Sequence, residues 1–165
     1  MTAPSGIPLF RFSQVSYATS DVEHAAAVLG SVYGIERFQI DRGSEVDSPA
    51  GKIVIDVAQA FAGDLHVEII QPAGGADALY REVLSQRGFS VRLHHFGHLT
   101  RSADEWARIL DFISARRWRV VLGGNYRDLI HYAYVDTRAE LGHYLEFMYQ
   151  TDRGRDMFSS VPRYP

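Results

Sequence analysis

A chain of 165 residues with 46% hydrophobic content has enough apolar side chain for one folded core, so one domain is expected over residues 1–165. The net charge of −3 gives no long-range field for nucleic acid, and no basic run interleaved with aromatics marks an RNA or DNA surface, which removes nucleic acid as an expected partner. The absence of cysteine excludes disulfides, thiolate metal sites and cysteine nucleophiles together, so any metal must be held by His, carboxylate or amide oxygen.

Met1 to Pro8 lacks the basic start and apolar core of a signal peptide, and no apolar run approaches the roughly 20 residues of a membrane span. A cytoplasmic protein with no membrane partner is the expectation. Phe10 to Thr19 alternates loosely as a strand and ends at Ser20-Asp21-Val22-Glu23, an S-x-x-E capping box that predicts a helix. Val22, Ala26, Leu29 and Val32 or Tyr33 recur at helical spacing until Gly34 closes the helix. Ile35 to Ile40 reads as a short strand and Asp41 to Gly51 as a polar turn. Lys52 to Ala58 and Asp64 to Gln71 follow as alternating strands, the second with Leu65, Val67 and Ile69 on one face and His66, Glu68 and Ile70 on the other.

Pro72-Ala73-Gly74-Gly75 breaks the composition, and Ala76 to Gln86 predicts a short linker helix. The order then repeats. Val91 to Thr100 is a strand, and Ser102-Ala103-Asp104-Glu105 is a second capping box before a helix with Trp106, Ile109, Leu110 and Ile113 inward. Arg119 to Leu122, Ile130 to Asp136 and Gly142 to Tyr149 supply three more strands, and the polar tail 151–165 is expected to lie over the surface. Module one thus covers about 10–72, the linker about 73–90 and module two about 91–150, each reading strand, helix, three strands. One offset near 80 aligns Ser20 with Ser102, Gln14 with His95 and Glu68 with Glu146, which predicts an internal repeat.

The run Leu93-His94-His95-Phe96-Gly97-His98-Leu99 carries three histidines on a strand. Strict alternation puts His95 on a face with Leu93, Gly97 and Leu99, and His94 and His98 on the opposite, helix-packed face. By this reading His94 and His98 are buried, hydrogen-bonded residues outside any site. Glu68 between Val67 and Ile69, and Glu146 between Leu145 and Phe147, are either solvent-facing strand residues or buried carboxylates that need a counter-charge.

Gln14-Val15-Ser16-Tyr17 followed by Asp21-Val22-Glu23, Val67-Glu68-Ile69-Ile70-Gln71-Pro72, His94-His95-Phe96-Gly97 and Tyr144-Leu145-Glu146-Phe147 occur in an order that resembles the vicinal oxygen chelate superfamily, over roughly residues 10–150. Glyoxalase I, methylmalonyl-CoA epimerase, extradiol dioxygenases and bleomycin-resistance proteins belong to that superfamily. The resemblance implies an α+β fold in which two tandem βαβββ modules form a cupped, mostly antiparallel eight-stranded sheet with helices outside. It places metal ligands at Gln14, Glu68, His95 and Glu146. One imidazole nitrogen, two carboxylates and an amide oxygen suit Zn²⁺, Mn²⁺, Co²⁺, Ni²⁺ or Mg²⁺.

The Gln, Glu, His, Glu pattern looks most like glyoxalase I of the zinc-binding kind. By that likeness the chain is a divalent-metal-dependent isomerase, epimerase or lyase that abstracts a proton next to a carbonyl of a small oxygenated substrate, with Glu146 as first base and Glu68 as second. Phe12, Ser16, His66 and Tyr144 share the parity of the ligands and are the expected pocket walls. A homodimer is implied by the family. No basic cluster matches a glutathione or CoA pocket, although Arg37, Arg92 and Arg127 lie near strand ends. Two other readings stay open: a binding protein of the same fold that sequesters a small molecule without turnover, and an extradiol dioxygenase, for which Gln14 stands where a second histidine is wanted.

Overall fold

Two copies of one strand–helix–strand pattern meet along their first strands, and this junction organises the molecule. The computed structural model describes residues 10–165; Met1–Leu9, and with them the reading of the N-terminal segment, lie outside the described residues. Module one comprises β1 (Gln14–Thr19), α1 (Val22–Tyr33), β2 (Gln39–Ser48), β3 (Gly51–Ala62) and β4 (Leu65–Gly75). A one-turn helix α2 (Ala78–Arg81) leads to module two, with β5 (Val91–Thr100), α3 (Ala103–Ala115), β6 (Val120–Tyr126), β7 (Ile130–Val135), α4 (Arg138–Leu141) and β8 (Tyr144–Gln150). A 3₁₀ turn (Asp152–Gly154) and β9 (Arg163–Tyr164) close the chain.

The strands run in the order β2-β3-β4-β1-β5-β8-β7-β6, with β9 added beside β3. β1 pairs antiparallel with β5 at the centre, and each is flanked by a parallel partner, β4 and β8. This is the pseudo-twofold arrangement that the offset near 80 predicts. The sheet curls into a nearly closed cup, and the Tyr132 hydroxyl donates to the Asp47 carbonyl (3.0 Å) across the gap between β7 and β2. The two long helices, α1 and α3, cover the outside. Val22, Ala25 and Leu29 of α1 pack on Val15, Val67 and Ile69, and Ile109 and Ile113 of α3 pack on Val135, Leu145 and Phe147. A third apolar cluster, including Ile55, Val57, Ile70, Leu122, Tyr134 and Met148, lines the inside of the cup and joins the modules. No helix among the described residues is long and apolar enough to cross a membrane.

Several local expectations shift. α1 is capped by Asp21, whose carboxylate accepts from the His24 amide (3.0 Å), while Ser20 turns its hydroxyl to the Ser90 amide. α3 is capped as its box predicts, by Ser102 on the Glu105 amide (3.1 Å). Residues 41–48, read as polar turn, are strand, because an edge strand needs only β3 for its backbone bonds and keeps polar side chains in water. The linker helix shortens to one turn. The tail does more than lie on the surface: Val161 is 4% exposed, and β9 adds a parallel strand at Phe61 and Ala62.

Candidate functional site

Register places the four sequence-predicted residues at the cup floor. On the β1–β4 ladder Gln14 faces His66 and Ser16 faces Glu68; on the β5–β8 ladder His95 faces Tyr144 and Gly97 faces Glu146. The two ladders are equivalent halves of the repeat, so each module contributes one residue from its first strand and one glutamate from its last. The absence of a side chain at Gly97 matters, since a Cβ there would stand 2.6 Å from Gln14 Oε1 and 2.8 Å from Gln14 Cβ. Gln14 lies across the space that Gly97 leaves.

His95 Nε2 lies 3.2 Å from Gln14 Oε1, 3.2 Å from Glu146 Oε2 and 3.7 Å from Glu68 Oε2. Its protonation follows from a chain of contacts behind it. The Leu79 carbonyl can only accept, so His94 Nε2, 3.1 Å away, carries a proton. Neutral His94 then has a lone pair on Nδ1, and His95 Nδ1, 2.8 Å away, must donate to it. Burial depresses both imidazoles to about 3, so each is neutral near pH 7 and His95 Nε2 bears a lone pair. Gln14 is oriented in a similar way: its Nε2 donates to His66 Nδ1 (3.2 Å), and His66 Nε2 donates to Gln59 Oε1 (3.1 Å). Gln14 Oε1 and His95 Nε2 therefore present lone pairs beside the two carboxyl groups, and neither supplies a proton to the other.

A carboxyl proton on Glu146 or Glu68 or a cation between the groups satisfies these lone pairs. Burial raises both carboxyl groups, Glu68 further because Glu146 is its neighbour; the Ser16 hydroxyl, 2.9 Å from Glu68 Oε2, and the Tyr134 hydroxyl beside Glu146 oppose the rise. The donor set is suited to a divalent ion. Donors about 2.1 Å from one ion stand about 3.0–3.4 Å apart, and the separations from His95 Nε2 fall in or just beyond that range. As they stand, no three His, Cys, Asp or Glu side chains among the described residues form a ready cation cage.

Above this floor opens a cavity of about 450 Å³. Glu68, Glu146 and Gln14 line it, while His95, fully buried, stands behind them. The walls are tyrosine-rich, with Tyr80, Tyr132 and Tyr134 among them, and mix apolar residues with polar ones such as Gln39, Asp41, Arg42 and Gln59. The predicted pocket residues fall elsewhere. Phe12 is 63% exposed and packs edge-on to Phe96 outside the cup, because it precedes the regular pairing of β1. Ser16 and His66 are buried supports for Glu68 and Gln14, and Tyr144 packs beside His94 with its hydroxyl on Glu82.

Sequence reasoning misses His94, Leu79 and Tyr80. A β-bulge is the cause: β1 pairs Ser16 with His95 and Tyr17 with Leu93, so His94 is the extra residue. It breaks the alternation and turns His94 inward beside His95, its ring tilted against Tyr80 (4.7 Å). Two adjacent buried residues on a strand are invisible to a period-2 count. Adjacent histidines were the one visible signal.

The sequence matches the Glyoxalase/Bleomycin resistance protein/Dioxygenase superfamily over residues 13–134. No curated protein matches the chain by sequence. Among solved structures the chain is similar to a variant of the Streptomyces coelicolor methylmalonyl-CoA epimerase in complex with 2-nitronate-propionyl-CoA, with TM-score 0.59, 16% identity and coverage of 87% of this chain and 99% of that one. It is also similar to the methylmalonyl-CoA epimerase of Mycobacterium tuberculosis, with TM-score 0.59, 13% identity and coverage of 93% and 95%. At these identities the likeness concerns the fold. Paired modules, a cupped sheet and the match over most of its length make this chain a member of the glyoxalase, bleomycin-resistance and dioxygenase superfamily.

Proposed function

We propose that the chain is a divalent-metal-dependent isomerase of the epimerase type, which moves a proton on a carbon next to a carbonyl. The observation that carries this reading is the convergence of four lone-pair atoms, one from each of β1, β4, β5 and β8, on one point at the floor of a cavity. Gln14, Glu68, His95 and Glu146 would hold the ion, which when bound supplies electrophilic polarisation of the substrate carbonyl. The structures of similar fold include methylmalonyl-CoA epimerases in complex with 2-nitronate-propionyl-CoA and with methylmalonyl-CoA, which supports proton transfer beside a carbonyl as the chemistry.

The remaining work falls to the chain's own groups. Glu146 faces the cavity and takes the α-proton. Glu68, held by Ser16, is the base for the opposite face. His95 stays behind both and anchors. A homodimer accompanies this reading by likeness to the family.

Protein purified without chelator should bind Zn²⁺, Mn²⁺, Co²⁺, Ni²⁺ or Mg²⁺ near one ion per chain by calorimetry, and His95→Ala should abolish this with an unchanged circular dichroism spectrum. Failure of all five ions to bind the wild type sinks the proposal. The tyrosine-lined cavity favours one other reading, sequestration of a hydrophobic small molecule; that reading requires ligand binding that survives EDTA and the Gln14→Ala change.

A further inference from the structure

Resting on the reading above, we infer that the substrate is a free, compact carbonyl compound with an apolar body and a single anionic group that meets Arg127, rather than an acyl group carried on a nucleotide thioester. Two observations carry this, the charge at the cavity rim and the segment that closes its side.

The cationic residues lining the cavity are Arg42 and Arg127. Arg42 is committed, with Glu23 and Asp56 on its two guanidinium nitrogens. Arg127 has no carboxylate partner among the described residues and lies over the Tyr126 ring, 5.1 Å from its centroid. The nearby Glu45 is engaged by Lys52 (2.6 Å). Its turn is firmly built. Arg127 and Asp128 both sit in the left-handed region (φ 53° and 57°), held by reciprocal bonds between Asn125 and Asp128 (2.6 and 2.9 Å) and by the Thr151 hydroxyl on the Asp128 carbonyl (2.7 Å). One positioned guanidinium matches one carboxylate. A carrier with several phosphates calls for several cations, and the cavity lining offers one.

The tail supplies the second observation. Met157, Phe158 and Val161 line the cavity, so the chain itself walls part of one side and limits the room for a large carrier. This strap is anchored at both ends. At its start Gly154 packs so closely on Leu129 that a Cβ would meet the carbonyl at 2.0 Å; at its end the Phe61 and Gly63 amides donate to Pro162 and Tyr164 (both 2.8 Å). Between these anchors Phe158 packs on His66 (5.0 Å), the residue that orients Gln14. An apolar ligand body would lie between Phe158 and the inner wall, with its carbonyl at the glutamates and its charge toward Arg127.

The probes are 4-oxo-4-phenylbutanoate and 5-oxo-5-phenylpentanoate, the neutral ketone butyrophenone, and methylmalonyl-CoA, each titrated into chelator-free protein by calorimetry and followed by NMR for α-proton exchange in D₂O. At least one oxo acid should bind about three- to tenfold tighter than butyrophenone, and Arg127→Gln should erase that difference without changing butyrophenone binding. Phe158→Trp, which fills the cavity, should weaken all three ketones. Methylmalonyl-CoA binding tighter than both oxo acids, oxo-acid binding indifferent to Arg127→Gln, or no oxo-acid binding at all each overturns the inference. Oxo-acid binding with the expected Arg127 dependence but no exchange leaves this inference standing and overturns the proton-transfer reading instead.

Discussion

At the scale of single residues, the floor of the cup is decided by which nitrogen carries a proton. His94 is a positioning residue: it accepts from His95 Nδ1, and the Leu79 carbonyl in turn fixes His94. Partners of this kind on ligating histidines are worth about 10–100-fold in metal affinity. His94→Leu should therefore weaken Zn²⁺ binding by about that factor, while His94→Gln, whose amide oxygen can still accept, should recover much of it. The ¹⁵N shifts of His95 in metal-free protein should report a protonated Nδ1 in the wild type and lose that signature in His94→Leu. An unchanged tautomer and unchanged affinity in His94→Leu would show that His94 only fills space.

At the scale of elements, the bulge in β5 and the C-terminal strap are local departures that shape the cavity. The bulge lets consecutive histidines share one side of the sheet, which a regular strand forbids. The strap converts a surface tail into a wall. Val161 is buried against the cavity while its neighbours Pro162 and Tyr164 bond to the backbone around β3. Val161→Ala should lower stability by about 1–2 kcal/mol through lost packing, measured by urea denaturation, and should weaken ligand binding in the cavity. Metal affinity should stay at the wild-type value, because no strap residue contributes a donor atom to the floor. A parallel loss of metal binding would mean that the strap holds the floor through Phe158, His66 and Gln14 rather than only walling the cavity.

At the scale of the whole molecule, Glu68 and Glu146 come from different modules and meet only because the cup closes. Burial in the closed cup raises both from 4.5 to about 8, and the neighbouring Glu146 adds to the rise at Glu68. A carboxyl whose folded value lies above its unfolded value stabilises the fold fully below the unfolded value and loses that contribution as pH rises through the folded value. Metal-free protein should thus show a thermal midpoint that falls between pH of about 4.5 and about 8. A bound divalent ion replaces the proton, so the stabilisation conferred by Zn²⁺ or Mn²⁺ should grow across the same interval, with proton release detectable by calorimetry in buffers of different ionisation enthalpy. A midpoint flat over this interval would show that the pair stays ionised in the metal-free fold.

Much of this architecture is legible in the linear chain, since it depends on local periodicity and on order. The alternation of β3 and β4, the capping box of α3, the closing Gly34 and the common offset linking Gln14 with His95 and Glu68 with Glu146 all follow from residue type and spacing. Less is visible where side-chain pattern and backbone pairing part company. Residues 41–48 look like a turn yet pair as an edge strand, because backbone hydrogen bonds do not depend on apolar side chains. Phe12 has the parity of a wall residue but lies outside the cup, and His94 has the wrong parity but lies within, since one extra residue in β5 resets the alternation. The sequence by itself determined the modules and their repeat, as these are properties of period and order, while the four candidate donors follow from the superfamily resemblance that its motifs carry. Only the tertiary structure decided that the donors present lone pairs to one another, that Leu79 and Tyr80 reach the floor from the linker, and that the tail encloses the cavity, because each depends on contacts between segments far apart in the chain.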